Sequence, residues 1–215
     1  MPGPLLRASV AGAPSDYCDA AVPTEPTTTP ARRLIGIAAP IVALLWGFAE
    51  ATLFFIVPDV LLSAVAIYGK RVAWWCAAFA LGGAMIGGTS MYIWEHAYPG
   101  DAFLAVAQTP GATARVMDRA QREVMLHGPV AMIVGGVSFV PFKTYAVTAE
   151  AAGVSLPVFL LCGLVARGAR FAMVTLIARV IVTRVVHGWS KRRMVMLHTG
   201  VWGIIYAVYL GWVVR

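Results

Sequence analysis

Long apolar stretches, separated by short basic clusters, make up most of this chain after residue 33. Hydrophobic residues form 60% of the 215-residue sequence and charged residues only 13%, whereas an average soluble domain is about 45–50% apolar and about 25% charged. The chain therefore has too few charges to cover a surface that faces water. Because about 20 apolar residues suffice to cross the hydrocarbon core of a bilayer, the sequence predicts an all-α, multi-pass (polytopic) membrane protein.

The cysteines and the net charge exclude several other classes. Cys18, Cys76 and Cys162 are widely spaced and form neither a disulfide framework nor a CxxC zinc site. The acidic residues lack metal-ligand spacing, so we expect no metal and no cofactor. The net charge of +7 comes mostly from arginines that flank or lie within apolar segments. Anionic lipid is therefore the expected counter-charge, and no nucleic-acid partner is expected.

Residues 1–33 differ in composition from the rest of the chain. They are rich in Ala, Pro, Thr and acidic residues and show no hydrophobic periodicity, which predicts a disordered cytoplasmic arm. No apolar run of useful length follows Arg7, so the arm does not resemble a secretory signal. Arg32 and Arg33 directly precede the first apolar stretch and indicate a cytoplasmic anchor. The membrane domain is then predicted over 34–215.

The first broken segment, 34–69, is apolar but is interrupted by Glu50, Pro58 and Asp59. It is too long for one span and too short for two full spans with a turn in water. It forms either a helix of about 24 residues followed by a short interfacial piece or a re-entrant hairpin. A second basic pair follows at 70–71. If both basic pairs are cytoplasmic, the segment returns to its starting side, which favours the hairpin.

The remaining segments complete two halves of similar design. In each half, a broken apolar segment is followed by a full span, a pattern typical of transporters built from repeats, in which the substrate site lies where the broken segments meet. The predicted segments after the first hairpin are a span at 72–94, an amphipathic surface segment at 95–128, a second re-entrant hairpin at 129–156, a span at 157–182 and a C-terminal span at 194–214.

Two patterns within these segments concern helix packing and the membrane surface. Gly83 and Gly87 have small-xxx-small spacing, which allows a neighbouring helix to approach closely. Arg115, Arg119 and Arg122 lie on one face of a helix. We interpret that helix as an amphipathic element on the membrane surface rather than as a ligand site.

Two carboxylates in the first broken segment are the first candidate functional groups. A charge at the centre of a bilayer helix costs roughly 2.5–3.5 kcal/mol unless it is paired or neutralised. Glu50 is either a protonated group that caps the broken helix or a functional group, namely a proton carrier or a counter-ion to arginines. Asp59 follows the proline and is either an N-cap or part of the same site.

Basic residues in the second half are the complementary candidates. Arg167 and Arg170 are three residues apart, on one face of the predicted 157–182 span. Their depth is too great for easy snorkelling to an interface, which favours a polar cavity. Guanidinium groups bind phosphate oxygens bidentately. Lys143 adds a third positive charge, two residues after Pro141.

Together these charges predict a substrate site in which the three cations lie near the acids Glu50, Asp59 and Glu150. Such a site suits an amphiphile with an anionic head, and a soluble anion fits the same charges. We expect no enzyme, since residues 87–90 do not match the GxSG pattern of a rhomboid-like protease and the histidines lie at segment ends or in polar stretches. A purely structural protein would not need buried charges, which are costly.

The motifs around both breaks occur in a recognisable order. The first half contains Glu50-Ala51-Thr52, then Pro58-Asp59-Val60-Leu61-Leu62 and a glycine-rich span ending in Met91-Tyr92. The second half contains Phe139-Val140-Pro141-Phe142-Lys143, then Ala151-Ala152-Gly153 and Ala166-Arg167-Gly168-Ala169-Arg170-Phe171. Over about residues 40–182, this order resembles the DedA membrane proteins, also called the SNARE-associated or VTT-domain family, and especially the small YqaA-like branch.

The resemblance implies a multi-pass protein of the cell inner membrane with two opposed re-entrant hairpins. Members of the family are associated with proton-dependent transport and with moving lipids, including phospholipids and polyprenyl-phosphate carriers. Their functional acidic pair corresponds to Glu50 and Asp59. Where many members have Arg-Phe-x-Pro-x-x-Arg, this chain has serine at the first position and a lysine one position before the last, over 138–144. Arg167 and Arg170 are therefore expected to supply bidentate phosphate recognition.

The resulting hypothesis is a transporter, flippase or scramblase for a lipid with an anionic phosphate head, with protons as the candidate coupling ion. The expected partners are protons and membrane lipids, either anionic phospholipid or polyprenyl phosphate, and a homo-oligomer is left open. The alternatives are a small-anion or drug transporter and a non-catalytic protein of membrane homeostasis or assembly.

Overall fold

The structure is a computed structural model that describes residues 30–137 and 140–213. Throughout these residues the regular structure is helical, without strands, so the predicted all-α class is confirmed. Most of the predicted arm lies outside the described residues. The first helix begins at Pro30, so the last four residues of the predicted arm, 30–33, are helical, because the apolar helix extends to include its own basic anchor.

The helices follow the predicted segments closely. The first broken segment contains α1 (Pro30–Ala51) and α2 (Asp59–Ala66), and the first span is α3 (Lys70–Ala97). The surface segment contains α4 (Asp101–Ala107) and α5 (Ala114–His127), and the second broken segment contains α6 (Pro129–Val137) and α7 (Phe142–Ala151). The last two helices are α8 (Leu156–Val180), continued by a π-helical turn over Ile181–Val185, and α9 (Lys191–Val213).

Proline marks the start of the second helix in each broken segment. Pro58 directly precedes α2 and Pro141 directly precedes α7. Proline has no N–H to donate and disfavours helical geometry in the residue before it, so a helix starts readily after it but does not run into it easily. Helix α1 ends at Ala51, which leaves an irregular stretch of residues 52–58, called here the first break.

Helices α1 and α3 pack closely and run in the same direction. A Cβ on Gly83 would collide with the carbonyl of Leu44, and one on Gly87 would collide with the carbonyl of Phe48. Both contacts advance by four residues along both helices, as parallel helices require. The chain between them therefore returns to the level at which α1 began. The predicted close approach at these glycines is confirmed.

The two halves pack across one another. Helix α3 contacts α1 and α7, whereas α8 contacts α6 and α2. Helices α3 and α8 run in opposite directions, since Gly163 faces Met85 while Gly168 faces Leu81. Each long helix thus supports the broken segment of its own half and part of the other one.

Two helices in the described part of the chain, α3 and the continuous helix Leu156–Val185, are long and apolar enough to cross a membrane. Less than half of the most apolar stretch of each is buried inside the protein, 44% and 39% respectively. A core helix of a soluble protein would be mostly buried. Many large apolar side chains lie on the outside of the continuous helix, including Leu161, Leu164, Leu176 and Ile177.

A glycine comparison tests the α1–α3 contact. We expect Gly83→Ala to lower the free energy of unfolding by about 1–3 kcal/mol, because the added methyl group collides with the α1 backbone. The matched control is Gly82→Ala, since a Cβ at Gly82 meets no atom within 4 Å and alanine favours a helix over glycine by up to about 1 kcal/mol. Unfolding of both variants in detergent measures the difference, and equal stability would contradict the close packing.

Candidate functional site

Two buried ion pairs join α8 to the first broken segment. Arg167 Nη2 donates to Glu50 Oε1 at 2.8 Å, and Arg170 donates from Nε at 3.0 Å and from Nη2 at 2.7 Å to Asp59 Oδ2. The residues Arg167, Glu50 and Asp59 are only 1%, 3% and 5% exposed. The structure therefore brings together four of the residues that the sequence singled out, and it pairs each arginine with one carboxylate.

The first break positions the two carboxylates. Glu50 lies in the last turn of α1 and Asp59 is the first residue of α2, so they stand on either side of residues 52–58. Arg167 and Arg170 are one turn apart on α8 and project from one face of it. One helix face can therefore reach both ends of the interruption at once.

Aromatic rings surround the guanidinium group of Arg167. Its central carbon lies 5.0 Å from the ring centre of Phe142 and 5.9 Å from that of Phe171, within the range of cation–π attraction. Phe142 in turn stacks on Phe159, with ring centres 5.4 Å apart. Such a shell excludes water from the Arg167–Glu50 pair, which strengthens the electrostatic attraction and raises the cost of losing either partner.

Several buried polar atoms in this cluster can form a further hydrogen bond. Glu50 Oε2, Asp59 Oδ1 and Arg167 Nε are buried and have no hydrogen-bond partner within the described residues. Buried polar atoms of this kind cost free energy and are uncommon away from functional sites. Each carboxylate therefore has a free oxygen that can accept a proton, and Arg167 has an N–H that can donate to a further oxygen.

Lys143 is buried as expected, at 1% exposure, but its partner is not a carboxylate. Its Nζ donates to the carbonyl of Phe54 in the first break at 3.0 Å. Lys143 is the second residue of α7, so this bond joins the start of α7 to the interruption between α1 and α2. The bond keeps the lysine beside the cluster and satisfies a carbonyl of the irregular backbone.

Two further side chains bind the backbone of the first break. Trp46 Nε1 donates to the carbonyl of Ile56 at 2.9 Å, and the hydroxyl of Tyr206 in α9 accepts from the N–H of Val57 at 3.0 Å. Irregular backbone is tolerated at membrane depth only where its polar groups are satisfied within the protein. Sequence reasoning missed both residues. A signal was present for Tyr206, because it shares one face of the last apolar helix with His198 and Trp202, at a spacing of four residues, and all three side chains carry a polar group.

A third arginine of α8 extends the attachment to the far end of α2. Arg179 Nη1 donates to the carbonyl of Ala66, the last residue of α2, at 2.7 Å. A cation at the carboxyl end of a helix satisfies an unpaired carbonyl and complements the helix dipole. Ser63 of α2 also contacts His198 at 2.9 Å and accepts from Trp202 at 3.1 Å. Helix α2 is therefore bonded to both α8 and α9.

The position predicted for Glu150 is wrong. Its Oε1 pairs with Nδ1 of the exposed His96 at 3.0 Å, near the end of α3. Glu150 lies seven residues after Lys143 on the same helix, which separates them by about 10 Å along its axis. Glu95, a buried acid missed by the sequence reasoning, accepts the N–H groups of Gly100 at 2.7 Å and of Phe103 at 2.8 Å. It has a structural role at the start of α4.

The Tyr206 hydroxyl provides a test of how the first break is stabilised. We expect Tyr206→Phe to lower the free energy of unfolding by about 1–3 kcal/mol, because the N–H of Val57 loses its acceptor in an apolar environment. Tyr98→Phe is the control, since the Tyr98 side chain is 64% exposed. Thermal unfolding of both variants in detergent gives the comparison. An unchanged midpoint in Tyr206→Phe would remove α9 from the support of the break.

Comparison with known proteins gives no independent identification. No protein-family model matches the chain, and searches among curated proteins and solved structures find no match either. The search for metal sites likewise finds no group of three or more His, Cys, Asp or Glu residues suited to a metal ion among the residues that the structure describes.

Proposed function

We propose that the chain is a multi-pass protein of the cell inner membrane, of the DedA type, that moves a lipid with a phosphate head group across the bilayer together with protons. The observation that carries the proposal is the pair of buried arginine–carboxylate contacts between α8 and the first broken segment. Charged groups in hydrocarbon are costly and are retained mainly where they bind ions or substrates.

The distribution of exposed side chains supports a membrane location. On α1, the exposed residues include Ile37, Ile41 and Leu45, at 68%, 52% and 58%. On α9, Ile204 and Val208 are each 68% exposed. Soluble proteins rarely present such contiguous apolar surface to water, whereas lipid covers it without cost.

The direction of α1 and α3 supports a re-entrant first hairpin. Because the two helices are parallel, the basic residues at the start of α1 and the pair at 70–71 at the start of α3 lie at similar levels. Basic residues near membrane segments favour the cytoplasmic side. We therefore propose that the first broken segment enters and leaves on the cytoplasmic side, that the second is its inverted counterpart, and that α9 is a further span.

The ion pairs suggest how the binding of protons and of a phosphate group is linked at this site. A phosphate oxygen and a carboxylate oxygen compete for the same N–H groups of Arg167 and Arg170. A proton taken up by Glu50 or Asp59 removes the carboxylate's charge and releases its arginine. Proton binding to the acids therefore favours phosphate binding to the arginines. Lys143, Arg167 and Arg170 outnumber the two carboxylates by one positive charge, which favours an anionic ligand.

A small soluble anion is the second candidate substrate, since the excess positive charge would attract it equally. The apolar exterior and the aromatic shell of Arg167 favour an amphiphile. An assembly or homeostasis protein without transport would gain nothing from unpaired buried acceptors. Reconstitution into vesicles with labelled phospholipid or labelled phosphate, with and without a proton gradient, distinguishes the substrates.

Glu50→Gln tests proton exchange. We expect the variant to insert and fold but to lose at least about 90% of lipid transport and its response to a proton gradient, because an amide keeps the shape of a protonated carboxyl group but cannot release a proton. The matched control is Glu150→Gln, which removes a carboxylate outside the cluster and is expected to transport normally. Full activity of Glu50→Gln with an unchanged pH profile would refute the proton role.

Lysine substitutions on α8 test phosphate recognition. We expect Arg167→Lys or Arg170→Lys to lower the rate of phospholipid transport at least about tenfold at matched expression, since lysine keeps the charge but lacks the planar fork that binds two oxygens. Arg179→Lys is the matched control on the same helix, because Arg179 binds one backbone carbonyl. Near-normal rates in the first two variants would make these arginines counter-ions only.

A further inference from the structure

A groove between α5 and α6 combines a charged wall with an apolar one. Its volume is about 450 Å³, within the range of about 300–1,000 Å³ that is usual for small-molecule sites. Arg119, Glu123 and His127 of α5 line one wall, and Val130 and Val134 of α6 line the other. Neither Arg167 nor Glu50 lines it, so it is separate from the charge cluster.

The charged wall is organised around Glu123. Its Oε1 accepts from Arg119 Nε at 2.7 Å, and its Oε2 accepts from the hydroxyl of Tyr145 at 3.4 Å. Tyr145 is fully buried in α7, so Glu123 is anchored to the interior and in turn holds Arg119 beside the groove. The bond uses only Nε of Arg119. The terminal nitrogens of a guanidinium group carry four further N–H donors for an oxyanion.

The side chains of the apolar wall are exposed in the part of the chain that the structure describes. Val130 and Val134 are 62% and 65% exposed, although they line a concave surface. On α5, the buried face consists of Met117, Ala120 and Val124, so this helix already lies on the protein through another surface. An acyl chain along the α6 valines would cover this apolar surface within the groove.

We propose that this groove binds one phospholipid, with its phosphate at Arg119 and one acyl chain along Val130 and Val134. The inference rests on the proposed membrane location but concerns a site distinct from the transport cluster. Amphipathic helices with arginines on the polar face bind phospholipid surfaces in general. Here the groove supplies a fixed position for a single lipid, joined through Glu123 and Tyr145 to α7.

Lipid retention by the purified full-length protein tests the proposal. Titration with dioleoyl phosphatidylglycerol in detergent, followed by native mass spectrometry, is expected to show one lipid bound most tightly. Arg119→Gln is expected to weaken this binding about tenfold or more, because one charge-assisted hydrogen-bonding group is lost. Arg115→Gln removes the same charge one turn away, outside the groove lining, and is expected to bind like the unmodified protein.

A second pair of variants tests the apolar wall. Val130→Trp fills the groove and is expected to lower affinity about tenfold, whereas Val130→Ala leaves it open and is expected to change affinity less than about threefold. Elution profiles and unfolding midpoints identify any variant that is misfolded. If both Arg119→Gln and Val130→Trp bind normally while folded, the groove site is refuted.

Two other ligands distinguish the source of the phosphate chemistry. Diolein, which lacks phosphate, and inorganic phosphate, which lacks chains, are both expected to bind at least about tenfold more weakly than the phospholipid. Equal retention of diolein would mean an apolar groove without headgroup recognition, and displacement of the lipid by millimolar phosphate would mean a free-anion site. Either result overturns the proposal. Glu50→Gln is expected to keep this binding while losing transport, so the two proposals fail independently.

Discussion

The contact between Arg167 and Glu50 constrains much of the structure. Both groups are almost completely buried. Removing either partner of a buried ion pair lowers the free energy of unfolding by about 3–5 kcal/mol. Its formation requires α1 to end beside α8, which fixes where the first break begins. The Arg167 side chain must also extend from α8 to the end of α1. The rings of Phe142 and Phe171 pack against its guanidinium group and fix its position. Packing and electrostatics therefore select the same geometry.

The first break is stable because three helices supply hydrogen bonds to it. Its backbone receives donors from Trp46 of α1 and Lys143 of α7 and an acceptor from Tyr206 of α9. In an apolar environment the alternative is an unsatisfied backbone group, which costs several kcal/mol. Any movement of the first break relative to α7 or α9 must therefore exchange the bonds of Lys143 and Tyr206 for others.

The sequence was sufficient for the order of segments, the two proline breaks and the four paired charges. Hydropathy and proline reflect local conformational preferences. A charged residue in an apolar stretch needs a partner of opposite charge or a polar cavity, which limits where it can lie. The partners of Lys143 and Glu150 could not be predicted, because they depend on which end of α7 meets which neighbour. Tyr206 lies 149 residues after Val57, and no local pattern relates two such positions. The tertiary contacts, rather than the elements, were beyond sequence reasoning.

The two halves differ in how their broken segments are attached, and the difference bears on the proton coupling proposed above. Helix α3 holds the second broken segment through the packing of Phe142 against Gly88 and a bond from Tyr92 to the carbonyl of Val154 at 2.8 Å, and the exposed His96 at its end contacts Glu150 at 3.0 Å. Helix α8 holds the first one through arginines bound to buried carboxylates. Protonation of Glu50 or Asp59 weakens only these contacts between α8 and the first broken segment. A proton-linked motion in this architecture would therefore displace α1 and α2 from α8 while α7 stays against α3.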